Sequence, residues 1–392
     1  MMPHTVARMD SPAAASILPA RITSIDRLRG LVLVLMVLDH ARTYLSDPSF
    51  DPLDLERTTP ALFLTRWITH LCAPTFVWLA GMSARRLSLQ LNQNALSRFL
   101  LTRGLFLMVM ELTVVYMAWT FTLPGTGSPV LGVIWAIGGS MVVLAGLVRL
   151  PLVLVGGFGL VMIIGHNLLD GIDPARLGAL GAWWPILHEK GPTPMGRVLY
   201  PLVPWIGVMA VGYVFGGVFD LEPRRRRTVL VGLGCALLAL FLLLRLSNGY
   251  GDPHLWPLQP TVTFTLLSFL DASKYPPSLI FLLMTLGPAA ILLAYFDRTR
   301  SPLVDPLATF GRVPLFFYVT HLVIVRLLAG VIALSLGFDL ALLPKDPVAA
   351  GWGFGLPVVY GAWIGIVVVL YPMCRWFAGI KARRRDRWLS YC

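Results

Sequence analysis

The chain has 392 residues, of which 56% are hydrophobic and 13% charged, and its formal net charge is +12. Soluble domains carry roughly 25% charged residues, so this composition excludes an ordinary soluble protein and favours an integral membrane protein. The basic residues stand in short runs between apolar stretches, a pattern that is typical of membrane loops and argues against a nucleic-acid partner. The cysteines show neither CxxC nor Cys/His ligand spacing, so we expect no disulfide framework and no metal site.

Both ends of the chain are predicted to be cytoplasmic tails. Residues 1–20 lack a charged region followed directly by an apolar stretch, so we expect a tail here and no cleaved signal peptide. Residues 21–380 form one transmembrane domain in this interpretation, and residues 381–392 form a basic tail.

Apolar runs recur along the whole central region. A transmembrane helix needs about 20 residues, and runs of that length bounded by Pro, Gly or charge predict an all-α, polytopic transmembrane helix bundle of about ten spans. In chain order the predicted spans are 27–45, 60–84, 98–121, 129–148, 150–169, 199–219, 228–246, 276–296, 307–335 and 353–379. The Pro-containing stretch Leu255–Leu270 is predicted to be a re-entrant or interfacial helix.

Lys and Arg collect in alternate loops, and this asymmetry sets the predicted orientation. The positive-inside rule places such loops in the cytoplasm. The basic segments run from Arg21 to Arg29, Arg85 to Arg103, Arg224 to Arg227, Arg298 to Arg300 and Lys381 to Arg387. The longer loops, about 170–198 and 247–275, then lie on the outer face, and long structured loops usually carry function.

Ionisable side chains inside spans are costly and are functional candidates by default. Among those in the predicted spans are Asp39, His40, Arg42, Arg66, His70, Glu111 and His321. Histidine titrates near neutrality and can take a proton from a hydroxyl or amine. We therefore predict that His40, Asp39, His70 and His321 converge in a catalytic cavity, with His40 as general base and Asp39 or His70 assisting it.

Each of these residues also has a structural interpretation. His70 and His321 are equally suited to interhelical hydrogen bonding, and His40 to an interfacial cap near the outer end of its span. Asp39 and Arg42 suit an ordinary interfacial pair. Glu111 suits a pair with Arg103 or Arg149, so it is not predicted to be catalytic.

Basic and aromatic residues near the two ends of the spans are candidates for binding the two substrates. Guanidinium groups make bidentate phosphate contacts, so a nucleotide-like donor is predicted to bind cytoplasmic arginines. These are Arg27, Arg29, Arg85 and Arg86. Topology setting alone is the alternative for most of them, and Arg29 is favoured because it lies within the first span. Acceptor binding is predicted at Arg42, Tyr44, Arg66, Lys274 and Tyr275.

An ordered set of segments resembles a known family over most of the chain. The segments are SIDRLRG, MVLDHARTYL, THLCAPTFVWLAGMSARR, PLVPWIGVMAVGYVFG, FLDASKYPPSLIFLLMTLGPA and GRVPLFFYVTHLVI. They look like the bacterial family of heparan-α-glucosaminide N-acetyltransferase-like membrane proteins. Lysosomal members take acetyl from acetyl-CoA on the cytosolic side and place it on a glucosamine amine in the lumen.

The resemblance implies transmembrane acetyl transfer with acetyl-CoA as co-substrate and no metal. It also implies a multi-pass protein of the bacterial inner membrane, whose partners are the lipid bilayer and a glycan or amino-sugar acceptor. A homodimer is left open. The competing interpretation is a transporter or flippase that uses the same polar cavity as a substrate path.

The segment from Asp26 to His40 also resembles the first span of bacterial surface-polysaccharide acyltransferases, which carry a DGLRxxA start and a histidine at this spacing. One departure concerns the base. The lysosomal enzymes have an Asn-like position at His40 and a catalytic histidine in the first luminal loop, and residues 45–60 contain no histidine here. Which histidine acts is therefore open at this point.

Overall fold

The computed structural model describes residues 22–299, 301–338 and 351–384. The predicted tail 1–20 and most of the predicted tail 381–392 lie outside the described residues. In chain order the described helices are α1 (Thr23–Leu45), α2 (Pro60–Trp67), α3 (Cys72–Ser88), α4 (Gln93–Met110), α5 (Tyr116–Thr120), α6 (Val133–Leu147), α7 (Leu152–Gly165), α8 (Trp184–Leu187), α9 (Leu202–Phe215), α10 (Pro223–Ser247), α11 (Val262–Leu270), α12 (Leu279–Arg298), α13 (Asp305–Arg312), α14 (Pro314–Ser335) and α15 (Leu356–Arg383).

Short turns extend several of these helices. A 3₁₀ turn, Ile68–Leu71, joins α2 to α3, and a π-helical turn, Glu111–Val115, joins α4 to α5. Further 3₁₀ turns, His166–Leu169 and Gly216–Asp220, continue α7 and α9. Each α-helix and the turn that joins or extends it thus form one continuous rod, because a single 3₁₀ or π turn does not change the direction of the chain.

A small sheet joins the loops before α6 and before α9. Its strands are β1 (Val130–Leu131), β2 (Gly191–Thr193) and β3 (Gly196–Val198), in the order β1-β3-β2. The β2–β3 pair is an antiparallel hairpin, whereas β1 runs parallel to β3 with Val130 opposite Arg197. Backbone pairing therefore ties the loop after α7 to the loop before α6.

Seven of the described helical segments are long and apolar enough to cross a membrane. They are Gln93–Thr120, Leu152–Leu169, Leu202–Asp220, Pro223–Ser247, Leu279–Arg298, Pro314–Ser335 and Leu356–Arg383. The prediction of an all-α polytopic membrane bundle is confirmed. Helices also stand at the other predicted spans, but α1 carries five charged residues and α6 has only 15 residues, so the number ten stays a prediction.

Basic loops that are far apart in sequence meet at one end of the bundle, which we name the basic end. Arg27 donates to the Thr299 carbonyl at 2.6 Å and pairs with Asp305 at 2.8 Å. Arg226 binds both carboxylate oxygens of Asp297, and Arg226 also donates to the Leu221 carbonyl. This arrangement places the start of α1, the end of α12 and the start of α10 together, as the positive-inside pattern requires.

At the opposite end, Arg245 organises the loop between α10 and α12. Its buried guanidinium donates to the carbonyls of His254, Ser268, Phe269 and Asp271. In the predicted re-entrant or interfacial stretch Leu255–Leu270, the structure has only α11, a nine-residue helix. Such a helix is about 14 Å long, which is too short to cross a bilayer.

Helices α1 and α13 approach closely enough for their backbones to touch. A Cβ atom built on Gly30 would overlap the backbone of Leu307, and one built on Gly311 would overlap the backbone of Asp26. Small residues permit this kind of contact between helices in membranes, where dispersion between close backbones replaces the hydrophobic effect. The contact fixes the position of α1 along its own axis relative to α13 and to α14, which follows α13.

We expect Gly311→Ala to destabilise the protein by about 1–3 kcal/mol, because the added methyl group has no space and the helices must separate. Gly330→Ala is the matched control, since nothing lies near the added atom and alanine favours helix by up to about 1 kcal/mol. Thermal melting of both variants in detergent makes the comparison. Equal melting temperatures of the two variants would show that the close contact between α1 and α13 does not determine the stability of the protein.

Candidate functional site

His40 and His321 meet between α1 and α14. Nδ1 of His40 lies 2.7 Å from Nε2 of His321, and the rings are nearly parallel. His321 is fully buried, whereas His40 is half-buried. The two residues stand 281 positions apart in the chain, so only the packing of α1 along α13 and α14 brings them together.

The hydrogen bonds of the pair define which nitrogen of each neutral ring carries the proton. Nδ1 of His321 lies 3.0 Å from the Phe317 carbonyl, which can only accept, so that Nδ1 bears the hydrogen. Nε2 of His321 is then an acceptor, and Nδ1 of His40 must donate to it. Nε2 of His40 is therefore left with its lone pair, which is the form that a general base requires.

Asp39, which is predicted to assist His40, forms hydrogen bonds with two arginines. Both of its carboxylate oxygens lie 2.8 Å from Nη1 of Arg66, and Oδ1 also accepts from Arg42 at 3.1 Å. The electrostatic neighbours of Arg66 include Tyr275 and Tyr200. The carboxylate is thus shared by two guanidinium groups, and His321 is the residue that hydrogen-bonds to His40.

Asp39, Arg42, Arg66 and Lys274 form a group of charged side chains that we name the ion cluster. Except for Tyr44, the residues predicted to bind the acceptor lie in this cluster or beside it. Buried Lys274 stands over the ring of Tyr275, with 5.2 Å from Nζ to the ring centre, and contributes to the electrostatic field at Asp39. Tyr44 stands apart, because its hydroxyl donates to the Trp119 carbonyl at 3.0 Å. Arg42, Arg66, Lys274 and Tyr275 therefore form a polar surface, whereas Tyr44 holds α1 against α5.

His70 lies in the same region without joining the pair. It is buried against Phe281, with 5.3 Å between ring centres. Both of its ring nitrogens lack a hydrogen-bond partner among the described residues. Arg66 and Asp39 contribute to the electrostatic field at His70, which places it near the ion cluster, but among the described residues it makes no hydrogen bond to His40.

A cavity of about 440 Å³ opens between α1, α3, α4, α6 and α14. Four basic side chains line it, namely Arg29, Arg103, Arg312 and Lys381. The remaining wall is largely apolar and includes Leu33, Met36, Phe76, Leu107 and Ile134. Tyr318 also lines it, and its ring centre is 5.5 Å from that of His321 and 6.4 Å from that of His40. The cavity and the histidine pair thus share Tyr318.

The four arginines predicted to bind the donor have separate places. Arg29 lines the cavity, and Ser83, Asp26 and the Gly311 carbonyl hold its guanidinium. Arg27 faces α12 and α13 instead, as described above. Arg85 donates to Ser88, and Arg86 pairs with Asp220; neither lines the cavity.

Sequence reasoning missed several residues of the site. Arg103 and Lys381 were assigned to topology and Arg312 was not singled out, and only the fold shows that the three share a cavity. Tyr318 had a signal, since it lies three residues before His321 and so faces the same side of α14. Trp119, whose ring packs edge-on against His40 at 4.8 Å, had none.

Glu111 caps a helix. Its carboxylate accepts a hydrogen bond from the Trp135 backbone amide at 3.1 Å, in the first turn of α6. Unpaired amides at a helix N-terminus favour an anion. Glu111 was predicted to pair with Arg103 or Arg149. The structure adds the N-terminus of α6 as a partner.

These features define a class: a polytopic helical membrane protein with a buried histidine pair beside a cavity lined by basic residues. The family described as heparan-alpha-glucosaminide N-acetyltransferase, catalytic, matches residues 21–246. This match covers more than half of the 392 residues, and the chain belongs to that family of membrane N-acetyltransferases. No curated protein matches the chain. The match includes Asp39, His40 and Arg66 but ends before His321.

We expect Asp39→Asn to lower the free energy of unfolding by about 3–5 kcal/mol, because it leaves two buried arginines without their counterion. Asp220→Asn is the matched control: its carboxylate pairs with Arg86 but is 48% exposed, so the loss is at most about 1 kcal/mol. Melting temperature and monodispersity in detergent report the difference. Similar small losses of stability in both variants would mean that water solvates the two arginines beside Asp39.

Proposed function

We propose that this protein transfers an acetyl group from cytoplasmic acetyl-CoA to an amine or hydroxyl of a sugar on the outer side of the membrane. The observation that carries the proposal is the shared position of Tyr318, which lines the basic cavity and touches the histidine pair. A donor in the cavity and an acceptor at the ion cluster would meet at His40.

The cavity suits the chemistry of acetyl-CoA. Phosphates need cationic donors, and Arg29, Arg103, Arg312 and Lys381 supply them. The pantetheine arm and acetyl group are narrow and largely apolar, as is the rest of the wall. A volume of about 440 Å³ lies within the usual range for small-molecule sites. The basic end of the bundle, from which Arg29 and Lys381 reach the cavity, corresponds to the cytoplasm by the positive-inside rule.

The histidine pair suits the transfer step. Nε2 of His40 takes the proton of the acceptor amine or hydroxyl as that atom attacks the thioester carbonyl. A new C–N or C–O bond forms, the C–S bond breaks, and the proton passes from His40 to the leaving CoA thiolate. Protonated His40 donates through Nδ1 to His321, so the pair can carry the positive charge during the step.

The ion cluster suits a polar acceptor. Arg42, Arg66, Lys274 and Tyr275 belong to loops and helix ends opposite the basic end, where a sugar arriving from outside would bind. Their donors match hydroxyl and carboxylate groups of glycans and amino sugars. In this proposal the protein resides in the bacterial inner membrane with both termini in the cytoplasm, and the homodimer plays no part in the chemistry.

We expect His40→Ala to reduce acetyl transfer by about 10²- to 10⁴-fold, the usual contribution of a general base. The fold should persist, because His40 is half-buried and water can replace its hydrogen bonds. His321→Ala should lower activity and thermal stability together, since it removes a fully buried ring and strands His40 Nδ1.

His254→Ala serves as the control for these variants, because its side chain is 79% exposed on an outer loop. The measurement is transfer of radiolabelled acetyl from acetyl-CoA to a panel of amino sugars by protein in detergent. Near-normal transfer by the His40 variant would remove it as the base. Stimulated flux of acceptor in proteoliposomes with no acetyl transfer would establish the carrier interpretation instead.

We expect Arg29→Gln to raise the KM for acetyl-CoA by about 10- to 100-fold, the loss of one or two charge-assisted hydrogen bonds to phosphate. Arg224→Gln removes the same charge from an exposed position near the same end and should leave KM unchanged. Steady-state kinetics over a range of acetyl-CoA concentrations compares them. An equal effect of both changes would indicate a surface-charge effect rather than a donor contact.

A further inference from the structure

A second cluster of ligand-type side chains lies outside the cavity. His166 begins the 3₁₀ turn at the end of α7, Asp170 follows that turn, and His188 follows α8. One ligand atom of each lies within 4.8 Å of the other two. None of the three lines the cavity, so the cluster is separate from the proposed transfer site.

The histidines of this cluster have unused nitrogens in a buried place. His166 is 1% exposed and His188 is 0% exposed. Both ring nitrogens of His166 and Nδ1 of His188 lack a hydrogen-bond partner among the described residues. A buried nitrogen without a partner costs about 1–3 kcal/mol, so the buried and unpartnered ring of His166, next to His188 and Asp170, points to a ligand at this place.

Two imidazoles and one carboxylate form a donor set typical of zinc, with a fourth position for water or another ligand. Zinc bonds of about 2.0–2.2 Å place tetrahedral ligand atoms roughly 3.3–3.5 Å apart. His188 Nε2 and Asp170 Oδ1 are already 2.8 Å apart. Metal binding therefore requires His188 and Asp170 to separate by about 0.5 Å and the His166 ring to approach them by at most about 1.4 Å, and the bound ion would replace the proton shared by His188 and Asp170.

The surroundings hold the carboxylate in place. Asn167 donates to Oδ2 of Asp170 at 2.8 Å, and the carbonyl oxygen of the same amide accepts from the Leu279 backbone at 3.0 Å. Such outer contacts orient metal ligands. They also join the cluster to the first residue of α12, and His188 lies three residues before the β2–β3 hairpin.

We propose that His166, Asp170 and His188 form a Zn²⁺ site that fastens the loop between α7 and α9 to the ends of α7 and α12. The ion would bind one ring nitrogen of His166, one of His188 and a carboxylate oxygen of Asp170. It also positions the hairpin that pairs with β1 ahead of α6. The site needs neither acetyl-CoA nor a sugar. Its test is therefore independent of the proposed acetyl transfer.

The test uses the full chain, purified in detergent through a tag without histidine, stripped with a chelator and titrated with Zn²⁺. We expect one Zn²⁺ per chain by mass spectrometry of the metal content, a micromolar or lower dissociation constant by calorimetry, and a higher melting temperature with the metal. Asn167→Ala should weaken binding by about 10- to 100-fold, the usual effect of an outer contact.

Asp170→Asn and His188→Gln should abolish the stoichiometric binding and the gain in melting temperature, whereas His254→Gln, at an exposed histidine of the outer loops, should change neither. Asp170→Asn is nearly isosteric and guards against misfolding. Wild-type protein without saturable one-to-one binding would overturn the proposal. Equal Zn²⁺ binding by wild type and Asp170→Asn would overturn it as well.

Discussion

The backbone contact between α1 and α13 at Gly30 and Gly311 determines the position of most of the chemistry described here. It fixes the depth of α1 within the bundle, and α14 follows α13 directly. His40 on α1 then reaches His321 on α14, and Arg29 on the same helix lines the cavity. One helix therefore carries Arg29 at the basic end and His40 near the other end, separated by the length of about three helical turns.

Charges inside this bundle are balanced by short, specific contacts. Asp39 is shared by two arginines, Arg245 is surrounded by carbonyl oxygens, and Glu111 lies at a helix N-terminus. A membrane interior offers no water to do this work. His40 is different, because its Nδ1 donates a hydrogen bond to neutral His321. Its other nitrogen, Nε2, is therefore left as an acceptor. The nitrogen to which we assign proton transfer thus lies beside charged groups that are held by contacts of their own.

Much of this arrangement follows from the sequence, and the remainder depends on contacts between distant segments. Apolar runs and alternating basic loops predicted the helical membrane bundle, and the cost of burying His40, His70 and His321 marked them as candidates. The sequence favoured Arg29 over Arg85 and Arg86 because it lies within the first span, but it could not show which of the three lines a cavity, because that depends on helix rotation. Nor could it show that Asp39 faces Arg66 rather than His40, or that His166 and His188, 22 positions apart, approach each other after a loop returns.

The most direct measurement is a structure of the purified protein with a thioether analogue of acetyl-CoA, which binds but cannot transfer its acetyl-like group. The account predicts phosphates beside Arg29 and Lys381, a pantetheine arm along the apolar wall, and the thioether carbon next to Tyr318 within reach of His40 Nε2. An analogue bound with its phosphates at the Arg66 and Lys274 end, or with its thioether away from His40, would contradict it.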